Sequence, residues 1–510
     1  NLLQRLDATS LHVESPDIRM MKKDGSLLQV SLQDLGIDKV VWDSLHFSVG
    51  SINLSDPVVS YQAGTSPDTI KTKKKSPAVL SDDIYEAVGR FTPDLSLGKL
   101  TVSNAVWNRD TANLFLEGLH VNVRNRTFGL KTVRFDTKDL AFPLDNGFYT
   151  LKIGKVNLNN TDLNLEDIHL VSAYPKMEFA YRQPKHQDWF DVKVGRLGLS
   201  GIDLPAYFSE KVVRIKNVEV DNAELQNFKN QQIAVPRRIV PMIYSGLQKA
   251  PVKMAIDSLR VNNFSVVYEE LSKKGIQPGK LFFTEMNGKF SGFTNIVSYP
   301  DQYIRLDANG KLMGKGYFTA TWQLPVDSLN DRFLLDAHME DFDLTALNQL
   351  ITPLAFAKVE SGKLVDFTFS TEASTKGATV DMLFLYRDLK AEIMKEKNGE
   401  VIDNKFLSRL ANLVLKHDNP DHPEQGTYRP RHSHLTIERD PYHSTFNYLW
   451  QILRPALTES VGVSKKVQDV AKGVSGFFTK VKNFFHPGKK KQQKQPVSGQ
   501  NEPAGELISE

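Results

Sequence analysis

The sequence predicts a mainly β protein, an elongated antiparallel sheet built from repeated strand pairs, with a few short helices and one amphipathic helix near the C-terminus. Three observations carry this expectation. Apolar and polar residues alternate from the first lines, one strand-sized phrase recurs six times, and helical periodicity is confined to short stretches until the end.

The alternation is explicit in Leu11-His12-Val13-Glu14 and in Leu27-Leu28-Gln29-Val30-Ser31-Leu32. A period of two marks a strand with one buried and one solvated face, and the Asn, Asp and Gly clusters between such short runs suit tight turns.

The recurring phrase is apolar, any two, apolar, any, apolar, any, then Asn, Asp or Gly. Its copies span Val49 to Asp56, Leu97 to Asn104, Ile153 to Asn160, Val194 to Gly201, Ile215 to Asn222 and Ile256 to Asn263. The inner apolar positions lie two apart and project from one face, while the closing residue tolerates a left-handed backbone, so each copy reads as strand then turn. Spacings of about 20 to 55 residues are too irregular for a propeller and suit strand pairs added along one lengthening sheet.

Two interruptions break the first half: a basic loop over 62–78, with Lys71, Lys73, Lys74 and Lys75 among Ser, Thr and Pro, and a helix from Ser81 to Phe91 capped by Ser81. A helix is expected from Pro236 to Lys249, kinked at Pro241. From 280 the strands lengthen and gain aromatics, as in Tyr317-Phe318-Thr319-Ala320-Thr321-Trp322. A short helix with Leu344, Leu347, Leu350 and Ile351 should stop before Pro353, and another covers Lys405 to Leu415. The expected division is therefore 1–279 repetitive sheet, 280–445 a second β region, 446–488 helical and 489–510 a disordered basic tail.

Composition bounds the function. A hydrophobic fraction of 40% can bury a core, and a net charge of +4 is too mild to make nucleic acid a global partner. With no cysteine, thiol nucleophiles and thiolate metal sites are excluded. No apolar run reaches the length of a membrane span, and Asn1 in place of methionine points to a segment missing upstream. Gly310 to Lys315 lacks the spacing and the following helix of a phosphate loop, and no Gly-x-Ser-x-Gly occurs. Asp82-Asp83 and Glu269-Glu270 have no acid/base geometry. His432 and His434 share a strand face, but no acidic third zinc ligand is evident in the sequence. No cofactor and no enzymatic activity are expected.

Several phrases resemble the AsmA-like family, in particular its large envelope members from Bacteroidetes-type bacteria. Gly314-Lys315-Gly316-Tyr317-Phe318-Thr319-Ala320-Thr321-Trp322-Gln323-Leu324-Pro325 is similar to the family's C-terminal region. So are Leu347-Asn348-Gln349-Leu350-Ile351-Thr352-Pro353-Leu354 before Ser361-Gly362, and Asp381 to Leu389. The repeats resemble its N-terminal half, so the likeness spans most of 1–460.

The resemblance implies a sheet curled into an apolar groove and a periplasmic protein, anchored in the inner membrane through a segment before Asn1. It further implies a role in holding or moving phospholipid or another acyl lipid between membranes, possible envelope protein partners, and a contribution to outer-membrane homeostasis. Groove lining would then fall to Ile52, Leu54, Leu100, Val102, Val156, Leu158, Leu197, Leu199, Val218, Val220, Leu259 and Val261. Alternation alone favours their packing as an ordinary sandwich core, and the resemblance turns the balance toward lining. With a packed core the protein is a structural or interaction scaffold of the periplasm without lipid cargo; a hydrolase of envelope polymers is the remaining alternative.

Near the C-terminus Val463, Val467, Val470, Val474, Phe477, Val481 and Phe484 recur in steps of three and four, and Phe478 and Phe485 widen the stripe. Lys465, Lys466, Lys472, Lys480 and Lys482 face the other way. A basic amphipathic helix of this kind suits a membrane surface, with Val467, Val470, Val474, Phe477, Phe478, Val481, Phe484, Phe485, Lys480 and Lys482 as contacts. A helix capping the sheet end, or a coiled-coil arm, would use the same pattern.

Overall fold

The computed structural model of the chain describes residues 5–21, 25–43, 45–62, 77–107, 110–182, 187–233, 239–273, 275–326, 331–355, 357–397, 400–403, 405, 408, 412, 415–421, 429–442 and 445–462. Alternating runs become strands within it, and short turns return the chain beside itself so that neighbours pair.

Three strands broken in mid-course open the sheet. β1 (Arg5–Glu14) runs on into β2 (Asp17–Met21), β3 (Leu27–Ser31) into β4 (Asp34–Asp43), and β5 (Phe47–Ser55) into β6 (Val58–Gln62). Helix α1 (Pro77–Gly89) then crosses over, so that β7 (Asp94–Trp107) lies parallel to β5. An antiparallel series follows: β8 (Asp110–Asn122), the short β9 (Thr127–Gly129), β10 (Thr132–Leu144), β11 (Tyr149–Asn159) and β12 (Asp162–Ser172). Helix α2 (Lys176–Arg182) leads to β13 (Trp189–Ile202), and α3 (Leu204–Glu210) to β14 (Val212–Asn230).

A second crossover carrying α4 (Ile243–Gln248) sets β15 (Lys253–Leu271) parallel to β14. Then come β16 (Gly279–Thr294), β17 (Tyr303–Leu312), β18 (Gly316–Pro325), β19 (Phe333–Asp343), α5 (Asn348–Ala355), β20 (Ala357–Ala373) and β21 (Gly377–Lys397). β22 (Glu400–Asp403) pairs with the outer end of β21, β23 (His432–Glu438) closes the series along its inner half, and α6 (Thr445–Ser460) follows. Among the described residues, every strand but β22 joins one long, curled, unclosed and mostly antiparallel sheet of 22 strands.

All six closing residues of the recurring phrase adopt positive φ: Asp56 (50°), Asn104 (55°), Asn160 (55°), Gly201 (68°), Asn222 (55°) and Asn263 (52°). The expected turn is found at Asn160, whereas Asp56 marks a bend between β5 and β6, which continue in one direction along β7. Asn104, Asn222 and Asn263 instead sit inside long strands, where a left-handed residue makes a bulge. Asn104 and Asn263 recover lost ladder bonds by donating their N–H groups to the side chains of Asn113 (2.8 Å) and Asn287 (3.0 Å).

The glycine at the second position of four copies has the complementary role. A Cβ on Gly98 would lie 2.4 Å from the Gly50 carbonyl oxygen, and one on Gly154 would lie 2.9 Å from Cβ of Asp167, itself at φ 54°. Paired left-handed and glycine positions recur from strand to strand. They shift the alternation by one residue, which is why Leu158 and Val156 are followed by Ile153 and Leu151 on the apolar side.

Some expectations are corrected. The strands are not uniformly short, since β14 and β15 run 19 residues and β21 runs 21; bulges let one chain segment cross the full width of the sheet. Ser81 is not a cap but lies inside α1, fully buried. Pro241 precedes α4 instead of kinking it, since the helix begins at Ile243 and a proline ahead of the first turn removes no helical hydrogen bond. Pro353 lies inside α5, tolerated in its final turn, and Asp343 caps the preceding 3₁₀ turn through the Thr345 N–H (2.9 Å). Nearly all of the loop over 62–78, most of the Lys405 to Leu415 helix, and residues 463–510 lie outside the described residues.

The most deeply buried apolar cluster lies in the last strands. Tyr448, Ile452 and Ala456 of α6 pack on Val380, Met382 and Phe384 of β21, and Met242 and Tyr244 close the same cluster from the α4 crossover. Ser433 Oγ donates to the Ala456 carbonyl (3.0 Å), tying α6 to β23.

Candidate functional site

Cross-strand pairing assembles single side chains into a continuous apolar ladder running across the strands. It begins at Val13 in β1 and passes through Leu35, Leu54, Val102, Leu114, Phe135, Leu158, Leu163, Leu199 and Val218. It continues through Leu259, Phe290, Leu306, Trp322 and Leu335 in β19. Directly opposed residues point to one face, so these fifteen side chains form one stripe, about 65 Å long at the usual strand spacing. The ladder goes on to Thr371, Val380 and Leu435.

A second ladder lies two residues away on the same face: Val156, Leu165, Leu197, Val220, Val261, Gly288, Ala308, Ala320, Ala337, Phe369 and Met382. Over β16 to β19 it narrows to small residues, leaving a lane beside Phe290, Leu306, Trp322 and Leu335. A third, shorter row joins Leu11, Ile37, Ile52, Leu100 and Leu116.

The twelve lining residues expected from the repeats all fall on these rows. Leu54, Val102, Leu158, Leu199, Val218 and Leu259 belong to the first, Val156, Leu197, Val220 and Val261 to the second, and Ile52 and Leu100 to the third. Sequence reasoning missed the residues between them, such as Phe135, Leu163, Leu306 and Trp322. Alternation marked their strands, but only register aligns them with the repeats. The expected membrane-contact residues from Val467 to Phe485 lie outside the described residues.

Burial changes along the stripe. From Val13 to Leu335 the first ladder is half-buried except at Val218, which is buried. Beneath α6 it becomes closed, with Thr371 at 3% and Val380 at 1% exposure. The described helices occupy the connections between strands and the C-terminal end; α1, α2 and α3 lie at the rims, held by aromatic and ionic contacts. Phe208 stacks on Phe128 at 3.8 Å, and Lys211 Nζ reaches Asp82 at 2.7 Å. Hydrogen bonds from Lys211 and Arg126 hold the Asp82 carboxyl below the ordinary aspartate range.

The opposite face is polar and internally paired. Arg196 meets Asp221 (2.9 Å), His169 meets Asp191 (3.0 Å), and His338 meets Asp366 (2.8 Å). His432 and His434 both contact Asp381 of β21, at 2.7 and 3.3 Å, and among the described residues no group of three such side chains could hold a metal ion. Under α6, desolvation pushes the Tyr448 hydroxyl up to about 12, and burial lowers the Arg454 guanidinium from its ordinary value. Among the described residues no helix is long and apolar enough to cross a membrane.

Neither the comparison with protein-family models nor that with curated proteins finds a match for this chain.

Proposed function

We propose that this protein holds acyl lipid along the apolar ladder and passes it along the sheet without chemical change, in the manner the AsmA-like resemblance implies, within a bacterial envelope. The observation that carries this reading is the half-buried ladder itself, apolar at every step from Val13 to Leu335. A folded protein that leaves so long an apolar stripe partly open has a use for it.

Acyl chains require a continuous apolar lining while their head groups stay in water, and an unclosed sheet with one apolar and one polar face offers both. Each buried methylene contributes about 0.8 kcal/mol, so a half-covered chain of a dozen carbons would be held by about 5 kcal/mol. The attraction has no preferred register along the stripe, so sliding costs little. One leaflet's hydrocarbon is about 15 Å deep, so the ladder has length for several lipids in file. A scaffold with a packed core is favoured only at the C-terminal end, where α6 seals the ladder.

Native mass spectrometry of protein purified in mild detergent, with lipid identification in the extract, tests the reading. Phospholipid should co-purify with the wild type and be lost from a Leu158→Asp/Leu199→Asp variant that retains its β circular dichroism. A lipid-free wild type that also takes up no fluorescent phospholipid from vesicles would leave the scaffold reading in its place.

A further inference from the structure

We infer that the crossover around α4, together with the turn between β16 and β17, forms a lip that lies flat against an anionic phospholipid bilayer. The crossover is anchored from within: Met242 and Tyr244 are buried, the Tyr244 hydroxyl donates to the Val326 carbonyl, and the Ser245 N–H donates to Asp331 at 2.6 Å. From this firm base large apolar residues are turned outward. Ile239 is 72% exposed, Ile243 39%, Val297 52% and Tyr299 60%.

Hydrogen bonds tie these segments to one another. Asn295 of the turn donates to the carbonyls of Leu247 (3.2 Å) and Val252 (2.9 Å), and the Val240 N–H donates to the Pro441 carbonyl (2.9 Å), beside the exposed Tyr442.

Charge selects the occupant. Residues 239–256 contain Lys249 and Lys253 and no Asp or Glu, the turn over 295–302 carries the single carboxylate of Asp301, and the charges of Arg439 and Asp440 offset each other beside Pro441. Both lysines are exposed and have no ion-pair partner among the described residues. Isoleucine and tyrosine beside unpaired lysine are the composition of an interfacial membrane contact, with tyrosine placing its ring in the headgroup layer and lysine meeting anionic lipid. The lip borders β15 to β18, next to the end of the ladder that α6 covers. A bilayer there would lie against the rim of the sheet. The contact itself does not require the ladder to carry cargo.

The test is co-sedimentation of the full chain with vesicles of phosphatidylcholine containing about one-third phosphatidylglycerol. Wild type should bind, an Ile239→Ser/Ile243→Ser/Tyr299→Ser variant should bind at least about tenfold more weakly, and a Lys249→Glu/Lys253→Glu variant should lose its preference for the anionic vesicles. A Leu45→Ser/Phe91→Ser variant, which removes exposed apolar side chains elsewhere, should bind like wild type. All substituted groups are exposed, and thermal melts check that each variant folds; the lysine pair stands as the test if the triple variant does not. Absence of wild-type binding, or binding that survives both the triple and the lysine substitutions, overturns the inference and leaves the patch to a protein partner. Failure of the lipid-loading experiment with vesicle binding still lost in the triple variant would reject the cargo reading and retain the lip.

Discussion

At the scale of single residues, the sheet depends on where the backbone is allowed to depart from a regular strand. Gly98 is the sharpest case, because the atom its Cβ would meet at 2.4 Å is a backbone carbonyl oxygen on the paired strand, which cannot rotate aside. Gly98→Ala should cost about 1–3 kcal/mol in urea-induced unfolding, through overpacking against fixed backbone. Gly129→Ala, whose new methyl would meet only Cβ of His120 at 3.9 Å, should change stability by no more than about 0.5 kcal/mol. Equal effects at the two sites would show that the close approach at Gly98 does not constrain the fold. The closing Asn and Asp residues were legible in the sequence as left-handed positions, because these side chains tolerate that backbone. Whether each makes a turn or a bulge was not legible. That depends on whether the next strand continues the ladder, as it does beyond Asn222 and stops at Asn160.

At the scale of elements, α6 packs on β21 and β23 and, with Met242 and Tyr244 of the α4 crossover, converts open ladder into closed core. Ile452 is wholly buried between β21 and β23, so Ile452→Ala should destabilise the molecule by about 2–5 kcal/mol, from lost transfer energy and the cavity left behind. Near-ultraviolet circular dichroism during urea unfolding reads this out, since Tyr386 and Phe384 lie in the same cluster. A cost below 1 kcal/mol would mean that α6 rests loosely on the sheet. The sequence placed helix over 446–488, but the apolar stripe read there begins at Val463, beyond α6, so neither the buried face of α6 nor its partner was legible. An apolar stripe states that something covers it, and several surfaces of this chain have equal appetite for a cover.

At the scale of the whole molecule, an elongated sheet in which each strand touches mainly its neighbours should not unfold as one unit. Amide hydrogen exchange should be slowest in β21 and β23 beneath α6 and fastest in β1 and β2, whose residues are mostly exposed. Uniform protection from β1 to β23 would instead indicate a single cooperative core. The same gradient separates the two readings of the apolar face: the sealed end resembles an ordinary core, and the long remainder is the part a lipid could use.

By itself the sequence determined the strands, their apolar and polar faces, the recurring left-handed positions and the lack of thiol chemistry, because each is a property of neighbouring residues. That the paired apolar positions within each repeat share a face followed from a period of two. Tertiary structure alone decided that those positions meet in ladders with Phe135, Leu163, Leu306 and Trp322, that α6 closes one end, and that Ile239 and Tyr299 turn outward on one lip. These facts rest on register and on which distant segments come together. A one-residue slip would send every apolar side chain to the other face, and no local pattern encodes the pairing that prevents it.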